Sequence, residues 1–501
     1  MPSPRNRSAD PPVLAAIDVG TNAVRLELAR PLPDGSLEIL HQERDPLRPG
    51  EGVFRTGFIS REVADRLLST LSRYSALCRR FHARVRAVAT SAVREARNRD
   101  EIVERARKEA GLELEVVSGR EEARLICLGV LRGKPDRLRS LVIDIGGGST
   151  EVATAIGDRP QTLSSVAIGA VRLTELFSDS GRNRLDRLAL MRSFAEEAFR
   201  DALPPTLVPA PRAALGSSGT IQAVVGFASG TAQATTRQIV AAVDLLGAMS
   251  LDERRRRFDS RRAEIVVAGA VILEALLRHL RLQSISAVDR GLRDGLLTDL
   301  QRRSRGGDAS LPKAALALGR RFHFDEAHGV QVSRLSLELF DGLAPIHGLA
   351  ASARPLLETA ALLHDIGNAV SYQRHHKHSF YLIQNADLPG LTDSERGLVA
   401  LVARFHRRSP PERGHAELLG LGPGELQLVR KLATLLRLAD ACDRSHHQPV
   451  RALRIQPRAG AVAVTLRARA PCDLELWDAE HDAALFRRVF RRRLELSSTR
   501  R

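Results

Sequence analysis

Three glycine-containing turns carry the residue types best suited to phosphate chemistry in this sequence of 501 residues. In the clearest, LVIDIGGGSTEVATAI at 141–156, an apolar run ends in an aspartate and is followed by three glycines and two hydroxyl residues. Glycines let a backbone approach a ligand closely and point several N–H groups at it. A carboxylate at the strand end suits a cation or a water beside that ligand. The turn therefore predicts a phosphate cradle with an adjacent carboxylate, formed by Asp144, Gly146, Gly147, Gly148 and Ser149.

The same scheme occurs about 125 residues earlier, in LAAIDVGTNAVRLELA at 14–29. There Asp18, Gly20 and Thr21 again separate two apolar strands. The repeat is too long for a solenoid, and it predicts two related lobes that face one another across a cleft. A third turn, GSSGT at 216–220, follows a short apolar segment. Three such turns in this order are better explained by phosphate binding than by ordinary chain reversal.

Candidates for acid–base chemistry and for a further phosphate contact lie between the first two turns. A strand, a turn and a helix are predicted across 112–122, which places Glu121 and Glu122 in the first turn of the helix. The helix dipole alone favours acidic residues there. Alternatively, one of the two carboxylates faces the cleft and deprotonates a water as general base. The residues leave this choice open. Arg94, one turn into a helix that follows a strand at 85–89, could reach a phosphate.

Composition limits the functional classes. The net charge of +17 favours polyanionic partners, among them nucleic acid, polyphosphate and the surface of an anionic membrane. Aromatic residues make up only 4%, which argues against base-stacking platforms. Four widely spaced cysteines indicate a reducing compartment and no disulfide framework. The first residues lack the apolar core of a signal peptide, and the longest apolar run is interrupted by Glu274. A cytoplasmic protein without a transmembrane segment is expected.

The chain is too long for one core, and its composition changes along the sequence. We predict a disordered tail at 1–12, a first lobe at 13–139, a second lobe at 140–302, a linker at 303–310, a helical domain at 311–448 and a small α+β domain at 449–501. In the last of these, strands are expected at 450–455 and 461–466, followed by a basic helix at 480–493.

Twelve of the 15 histidines lie from His323 onward, eleven of them in the helical domain. In ALLHDIG a histidine is directly followed by an aspartate, and further histidines and another aspartate lie at a distance along the chain. This pattern is more specific for metal binding than a lone buried histidine. Imidazole suits borderline divalent metals, and carboxylate suits harder ones. The pattern predicts a divalent-metal site composed of His328, His364, Asp365, His378, His406 and Asp440.

Taken in order, the motifs resemble those of the exopolyphosphatase / guanosine pentaphosphate phosphohydrolase family, in its long form with a C-terminal HD-type domain. The resemblance covers nearly the whole chain and is carried by AAIDVGTNAVRL, ATSAVREARN, VVSGREEARLICLGV, LVIDIGGGSTEV, LGSSGTIQA, GLRDGLL, ALLHDIG, HKHSFYLIQNADLPG and RFHRR. It implies an α/β actin-like (ribonuclease H-like) two-lobe fold, followed by an all-α HD-type domain and a small α+β cap. It also implies Mg²⁺-dependent, processive release of terminal orthophosphate from polyphosphate, and a homodimer.

The resemblance also assigns roles to residues. Glu122 corresponds to the catalytic base, and Asp144 belongs to the side of the site that holds Mg²⁺ and water. The main phosphate cradle is the 146–149 turn. A second phosphate-binding turn contains Gly216, Ser217 and Gly219, and further candidate contacts are Thr21, Asn22 and Arg94. One departure concerns the HD-type domain, because some long members have lost its acidic residues whereas this chain retains the full set. A second divalent metal, and with it a second phosphohydrolase activity, is therefore open.

Four alternatives remain at the level of sequence. The first is hydrolysis of the 5′ phosphate of guanosine pentaphosphate. The second is an actin-like kinase or ATPase, which would release ADP from ATP without polyphosphate. The third is a sensor whose HD-type domain binds a nucleotide while the lobes are inert, although the presence of both Glu122 and Asp144 argues against it. The fourth is a nucleic-acid-binding protein, which competition by polyphosphate would test.

Overall fold

In a computed structural model the chain forms two compact units, 1–302 and 303–501. The structure describes residues 12–178, 183–207, 210–304, 310–386, 388, 390–412 and 414–500. The expected disordered tail and most of the expected linker therefore lie outside the described residues. None of the helices in these ranges is long and apolar enough to cross a membrane.

The first lobe of the first unit is built on a five-stranded mixed sheet in the order β3-β2-β1-β4-β5. Its strands are β1 (Leu14–Val19), β2 (Val24–Pro31), β3 (Leu37–Asp45), β4 (Arg84–Ala89) and β5 (Leu114–Val116). Its helices are α1 (Val53–Thr56), α2 (Arg61–Arg80), α3 (Ser91–Glu95), α4 (Arg99–Arg105) and α5 (Gly119–Leu131), with a π-helical turn at Ala106–Ala110. Apolar side chains of α2 pack on one face of this sheet.

The second lobe contains a six-stranded sheet in the order β10-β11-β9-β6-β7-β8. Its strands are β6 (Arg139–Ile145), β7 (Thr150–Ile156), β8 (Arg159–Val166), β9 (Ala213–Ser217), β10 (Gln233–Thr235) and β11 (Ser284–Ala287). Its helices are α6 (Ala170–Leu176), α7 (Arg184–Ala202), α8 (Ser218–Ser229), α9 (Thr236–Ala248), α10 (Leu251–Arg255) and α11 (Ser260–His279), followed by α12 (Leu292–Ser304). The almost fully buried α11 supplies much of the core.

The two sheets repeat one topology, as the duplicated sequence motif predicts. In each lobe an antiparallel three-stranded meander is extended by two parallel strands on the side of its first strand, β1 in one lobe and β6 in the other. The second sheet adds an antiparallel edge strand, β10. The first hairpin turn is also the same. Gly20 N–H donates to the Ala23 carbonyl at 3.1 Å, and Gly146 N–H donates to the Ser149 carbonyl at 2.9 Å. The register places Asp18 opposite Arg25 in the first hairpin.

In the second hairpin, Asp144 lies opposite Glu151. The equivalent position therefore carries an arginine in the first lobe and a glutamate in the second. The duplicated turns bring both aspartates to the ends of central strands, where the loops of the two lobes converge.

A close contact between α5 and α12 fixes the helix that carries the two candidate bases. A β-carbon on Gly129 of α5 would lie 2.7 Å from the backbone nitrogen of Gly295, and one on Gly295 would overlap the Leu125 carbonyl. Only glycine permits this approach. Leu125 joins Leu296 and Leu297 in a buried cluster against β1, so α5 is held against the centre of the first lobe.

The second unit is mainly helical. Its helices are α13 (Ser310–Arg321), α14 (Glu326–Gly342), α15 (Ala344–His347), α16 (Ala353–Leu363), α17 (His375–Gln384), α18 (Asp393–Arg404) and α19 (Pro423–Ala441), with 3₁₀ turns at Ile366–Ala369 and Ala416–Leu418. Local capping sets several helix starts. The Asp325 carboxylate accepts from the His328 N–H at the start of α14, and Thr392 forms a capping box with Glu395 at the start of α18.

A three-stranded sheet and two short helices complete this unit. They are β12 (Val450–Arg458), β13 (Ala461–Ala468), α20 (Asp473–His481), α21 (Ala483–Phe490) and β14 (Arg493–Arg500). The prediction of a single basic helix at 480–493 was wrong, because this segment is divided between the end of α20, the whole of α21 and the start of β14. β14 pairs in parallel with β13 along its whole length, and its alternation of half-buried leucines with exposed polar residues is too short a signal to separate from a helix end.

Candidate active site between the two lobes

A polar cavity of about 360 Å³ lies between the lobes of the first unit. It is lined by the ends of β1 and β6, by the glycine turns that follow them, and by the starts of α5 and α8. Most of the residues singled out from the sequence line this cavity, namely Thr21, Asn22, Glu122, Asp144, Gly146, Gly147, Gly148, Ser149, Ser217 and Gly219. The structure therefore brings together a catalytic candidate, a metal-ligand candidate and two glycine turns that are far apart in the chain.

The 146–149 turn presents its amides to the cavity. The carbonyls of Gly146 and Gly147 accept hydrogen bonds from the first amides of α6, and the Gly148 carbonyl accepts from Arg172 Nε at 2.7 Å. Among the described groups, none accepts from the amides of Gly147, Gly148 or Ser149. A side chain would not fit, since a β-carbon on Gly147 would lie 2.6 Å from that of Thr21. These amides are available for the oxygens of a phosphate.

The third turn leads into the N-terminus of α8, where Ser217, Ser218 and Gly219 line the cavity. The first amides of a helix lack intrahelical acceptors and favour anions. Gly216 does not line the cavity, so the structure does not place it with the other predicted phosphate contacts. A β-carbon there would lie 2.5 Å from Ile221 Cγ2 and 2.9 Å from Ile285 Cδ1. Gly216 is needed for packing inside the sheet.

Glu122 is the buried carboxylate that faces the cavity from the first turn of α5. Arg94 Nη1 donates to Glu122 Oε2 at 2.9 Å and to the Val117 carbonyl at 2.9 Å. Arg94 does not line the cavity, and its hydrogen bond holds the Glu122 carboxylate in place. A direct phosphate contact of Arg94 stays a prediction. Burial raises the pKa of Glu122 to about 7; Arg94 opposes this rise, and the carboxylates of Asp18 and Asp144 add to it. A carboxylate with such a pKa is suited to general-base chemistry near neutral pH.

Glu121, the neighbouring residue, points into a buried ionic network. Arg124 donates to Glu121 at 2.7 and 2.9 Å, and Arg86 donates at 3.1 Å. Both arginines also bind Asp299 on α12, at 2.7 and 2.6 Å. Burial favours the neutral form of Glu121, but the two arginines outweigh it and hold its pKa below the ordinary value. The structure thus separates the two glutamates that the sequence left equivalent.

The carboxylates near the strand ends test whether Mg²⁺ fits; Asp18 and Asp144 line the cavity, and Glu151 does not. Asp18 Oδ1 and Glu151 Oε2 are buried oxygens without a hydrogen-bond partner. Burial raises the pKa of Asp144 to about 6, against the opposing effects of the Ser217 hydroxyl and Arg25. Mg²⁺ uses hard oxygen ligands, typically one or two carboxylates together with water and substrate phosphate. The donor set at Asp18 and Asp144 fits such an ion.

Five arginines that also line the cavity were not identified from the sequence: Arg25, Arg44, Arg262, Arg290 and Arg293. Burial lowers the pKa of Arg262, and Arg44 and Arg25 lower it further. Arg25 is likewise depressed by burial and by Arg293 and Arg44. Carboxylates offset part of this charge, since Asp18 and Asp144 raise the pKa of Arg25, and Arg293 pairs with Glu27 at 3.0 Å. Several guanidinium groups gathered around one cavity nevertheless suit a polyanion. These arginines lie on β2, β3, α11 and the segment at the start of α12, and no local motif in the sequence links them.

Comparison with known proteins identifies the family. Residues 32–304 match the Ppx/GppA phosphatase family, and residues 312–478 match domain III of the Ppx/GppA phosphatases. The chain belongs to the Ppx/GppA phosphatase family. As a member it is a phosphoanhydride hydrolase.

Among curated relatives, the guanosine-5′-triphosphate,3′-diphosphate pyrophosphatase of Vibrio vulnificus is 29% identical over 86% of this chain and 88% of its own length. Among solved structures, the Aquifex aeolicus PPX-GPPA enzyme is 30% identical with a TM-score of 0.50, and covers 57% of this chain and 99% of its own. An exopolyphosphatase from Cytophaga hutchinsonii is 26% identical with a TM-score of 0.50, covering 58% of this chain and 97% of its own.

The second unit brings together five of the six predicted histidine and aspartate residues, and His375 takes the place predicted for His378. Ligand atoms of His328, His364, Asp365, His406 and Asp440 lie together, and the sixth member is His375. His378, the residue predicted from the sequence, belongs to none of the described groups of candidate metal ligands. His375 is the first residue of α17 and its side chain is buried, whereas His378 lies three residues further on and is half-exposed.

Proposed function

We propose that this enzyme removes the terminal 5′ phosphate of guanosine pentaphosphate in the cavity between the lobes. The observation that carries the proposal is Glu122, a buried carboxylate with a pKa of about 7 that shares the cavity with the unpaired amides of the 146–149 turn. The substrate is suggested by the curated relatives, which match over most of the chain and are named guanosine-5′-triphosphate,3′-diphosphate pyrophosphatases.

In the proposed reaction, Glu122 accepts a proton from a water molecule as the water oxygen bonds to the terminal phosphorus. The bond from that phosphorus to the bridging oxygen breaks, and the shortened nucleotide leaves with the electron pair. Amides of the 146–149 turn and of the start of α8 donate to the non-bridging oxygens, whose charge they stabilise. Arg94 keeps the carboxylate of Glu122 directed into the cavity. Magnesium, held by Asp144 and Asp18, would neutralise phosphate charge and orient the reacting groups.

The arginine group formed by Arg25, Arg44, Arg262 and Arg293 provides for the remaining phosphates of the substrate. In guanosine pentaphosphate these include the 3′ diphosphate; in polyphosphate they are the following units of the chain. The second candidate function is therefore exopolyphosphatase activity, which the arginine group and the similarity to the Cytophaga hutchinsonii protein favour. Processive release would follow if the chain stayed bound to these arginines between cycles.

Orthophosphate release from each substrate, measured separately with magnesium, tests the proposal. We expect the higher kcat/KM with guanosine pentaphosphate and loss of release in Glu122→Gln with either substrate. Higher kcat/KM with long-chain polyphosphate would assign the enzyme to the second function. If neither substrate is hydrolysed and the protein instead releases ADP from ATP in the presence of an acceptor, both phosphohydrolase functions are rejected in favour of a kinase.

A further inference from the structure

Five of the described carboxylates line the inter-lobe cavity, and the proposed reaction leaves one of them without a role. Glu122 is the proposed base, and Asp18 and Asp144 suit magnesium. Asp294 is engaged at the start of α12, where its Oδ2 accepts from a backbone amide at 2.9 Å. The fifth is Asp289, which follows β11. Because a carboxylate repels phosphates, this position fits a part of the substrate that donates hydrogen bonds.

The backbone on both sides of Asp289 is attached to the third glycine turn. Val288 N–H donates to the Gly216 carbonyl at 2.8 Å, and the Ser217 hydroxyl donates to the Arg290 carbonyl at 2.8 Å. The Arg290 guanidinium is engaged with a backbone carbonyl, to which it donates at 2.7 Å. Since the third turn leads into the proposed phosphate site at the start of α8, Asp289 is held beside that site on a fixed segment.

A glutamine in the second turn of α8 fixes the Asp289 carboxylate. Gln222 Nε2 donates to the Val288 carbonyl at 3.0 Å and to Asp289 Oδ1 at 3.2 Å. A carbonyl can only accept, so the nitrogen of the side-chain amide faces this pair, and both of its hydrogens are used. Within the described residues the structure gives the Asp289 carboxylate no other donor. Its second oxygen is therefore available to a ligand in the cavity.

An apolar wall leads from the proposed base toward Asp289. Ile126 lies one turn beyond Glu122 on α5, about 6 Å further along the helix axis. Ile126 and Leu292 line the cavity, and they pack in one cluster with Val288, the residue before Asp289. None of the described residues that line the cavity is aromatic. A flat, uncharged ring bound here would lie on aliphatic side chains and would be recognised by its edge.

Guanine matches this arrangement. Its N1–H and its 2-amino group are neighbouring donors on one edge, and the two oxygens of a carboxylate can accept from both at once. We propose that Asp289 recognises this edge of the substrate guanine, and that Gln222 is a positioning residue that holds the Asp289 carboxylate. This assignment rests on the proposed function, because polyphosphate carries no base. It gives the enzyme a means of selecting its nucleotide that the glycine turns and the arginines do not provide.

Base analogues of guanosine pentaphosphate test the assignment through orthophosphate release. The inosine counterpart lacks the 2-amino group, so the kcat/KM of wild type should be about 10- to 100-fold higher with the guanosine compound. Asp289→Asn should bring this guanosine-to-inosine ratio close to one. The asparagine amide donates a hydrogen bond, so the variant should also exceed wild type in kcat/KM with the xanthosine counterpart, whose C2 carbonyl accepts. Both substrates of a ratio are assayed on one preparation, so the folded fraction cancels.

Gln222→Ala should lower the guanosine-to-inosine ratio several-fold, a change that lost stability alone does not produce. Asp201→Asn is the matched control, since it replaces an exposed aspartate of α7 outside the cavity, and it should keep the wild-type ratio. If wild type hydrolyses guanosine pentaphosphate and Asp289→Asn keeps its ratio, Asp289 does not recognise guanine, while the proposed function stands. If wild type hydrolyses polyphosphate and none of the nucleotides, the proposed function and this assignment fail together.

Discussion

Adjacent glutamates on α5 should give opposite phenotypes when each is replaced by glutamine. Glu122→Gln removes the proposed base, and loss of a positioned general base lowers kcat on the order of 10²–10⁴-fold. Glu121→Gln removes a carboxylate from the network with Arg86 and Arg124. Breaking a buried ion pair by removing one partner costs about 3–5 kcal/mol of stability. We expect Glu121→Gln to unfold at lower temperature while keeping kcat in the folded fraction.

Glu122→Gln should also be more stable than wild type at high pH. Each pKa unit corresponds to about 1.36 kcal/mol, so a rise from 4.5 to about 7 amounts to about 3 kcal/mol. Because this pKa is raised on folding, the folded protein binds the extra proton, and its stability falls as the pH increases from 4.5 to about 7. Glutamine lacks this dependence. The free energy of unfolding of Glu122→Gln therefore equals that of wild type at about pH 4.5 and exceeds it by about 3 kcal/mol above about pH 7.

Scanning calorimetry of wild type and both variants at about pH 5 and about pH 8 measures these differences, and orthophosphate release under the same conditions gives the activities. The kcat/KM of wild type should rise with pH and level off above about 7, where Glu122 is ionised. Nearly normal kcat in Glu122→Gln would refute the assignment of the base. A Glu121→Gln protein that is inactive but as stable as wild type would exchange the two roles.

Three further substitutions test other parts of the first unit. Gly147→Ala should abolish phosphate release, because its β-carbon would collide with Thr21. Gly226→Ala, which meets no atom within 4 Å on the exposed side of α8, should remain active and gain about 0.5–1 kcal/mol in free energy of unfolding. Equal activity of the two variants would contradict the role of the turn. Arg262→Ala should raise KM several-fold and weaken its dependence on salt, with kcat nearly unchanged, in steady-state assays. Asp299→Asn should lower the melting temperature by leaving two buried arginines underpaired, without a change in KM.

The duplicated lobes and most of the cavity lining could be predicted from the sequence because they depend on local requirements. An aspartate at a strand end followed by glycines specifies a tight turn wherever it occurs. The repeat of that pattern indicated the repeat of the sheet. The role of Gly216 could not be predicted, because a glycine can also be required by packing, here against Ile221 and Ile285. Only the tertiary structure distinguishes packing from phosphate binding as the reason for a glycine.

The arginine group and the exchange of His378 for His375 could not be predicted for the same reason. Arg25 and Arg262 are far apart in the chain and meet only when the two lobes do. In HHKH at 375–378, the histidine that joins the cluster is the first residue of α17, which follows the left-handed backbone of Arg374 (φ 60°). The choice between Glu121 and Glu122 likewise required the positions of Arg86 and Asp299.

The duplicated hairpins give the cavity a direction. The register positions opposite the two aspartates hold Arg25 in one half and Glu151 in the other. Burial and the carboxylates of Glu122 and Asp144 raise the pKa of Glu151 well above its usual range, which favours its neutral form. Of these two equivalent positions only Arg25 lines the cavity, so a chain of phosphates meets a fixed cation on one side of the duplicated frame, and its two directions are not equivalent.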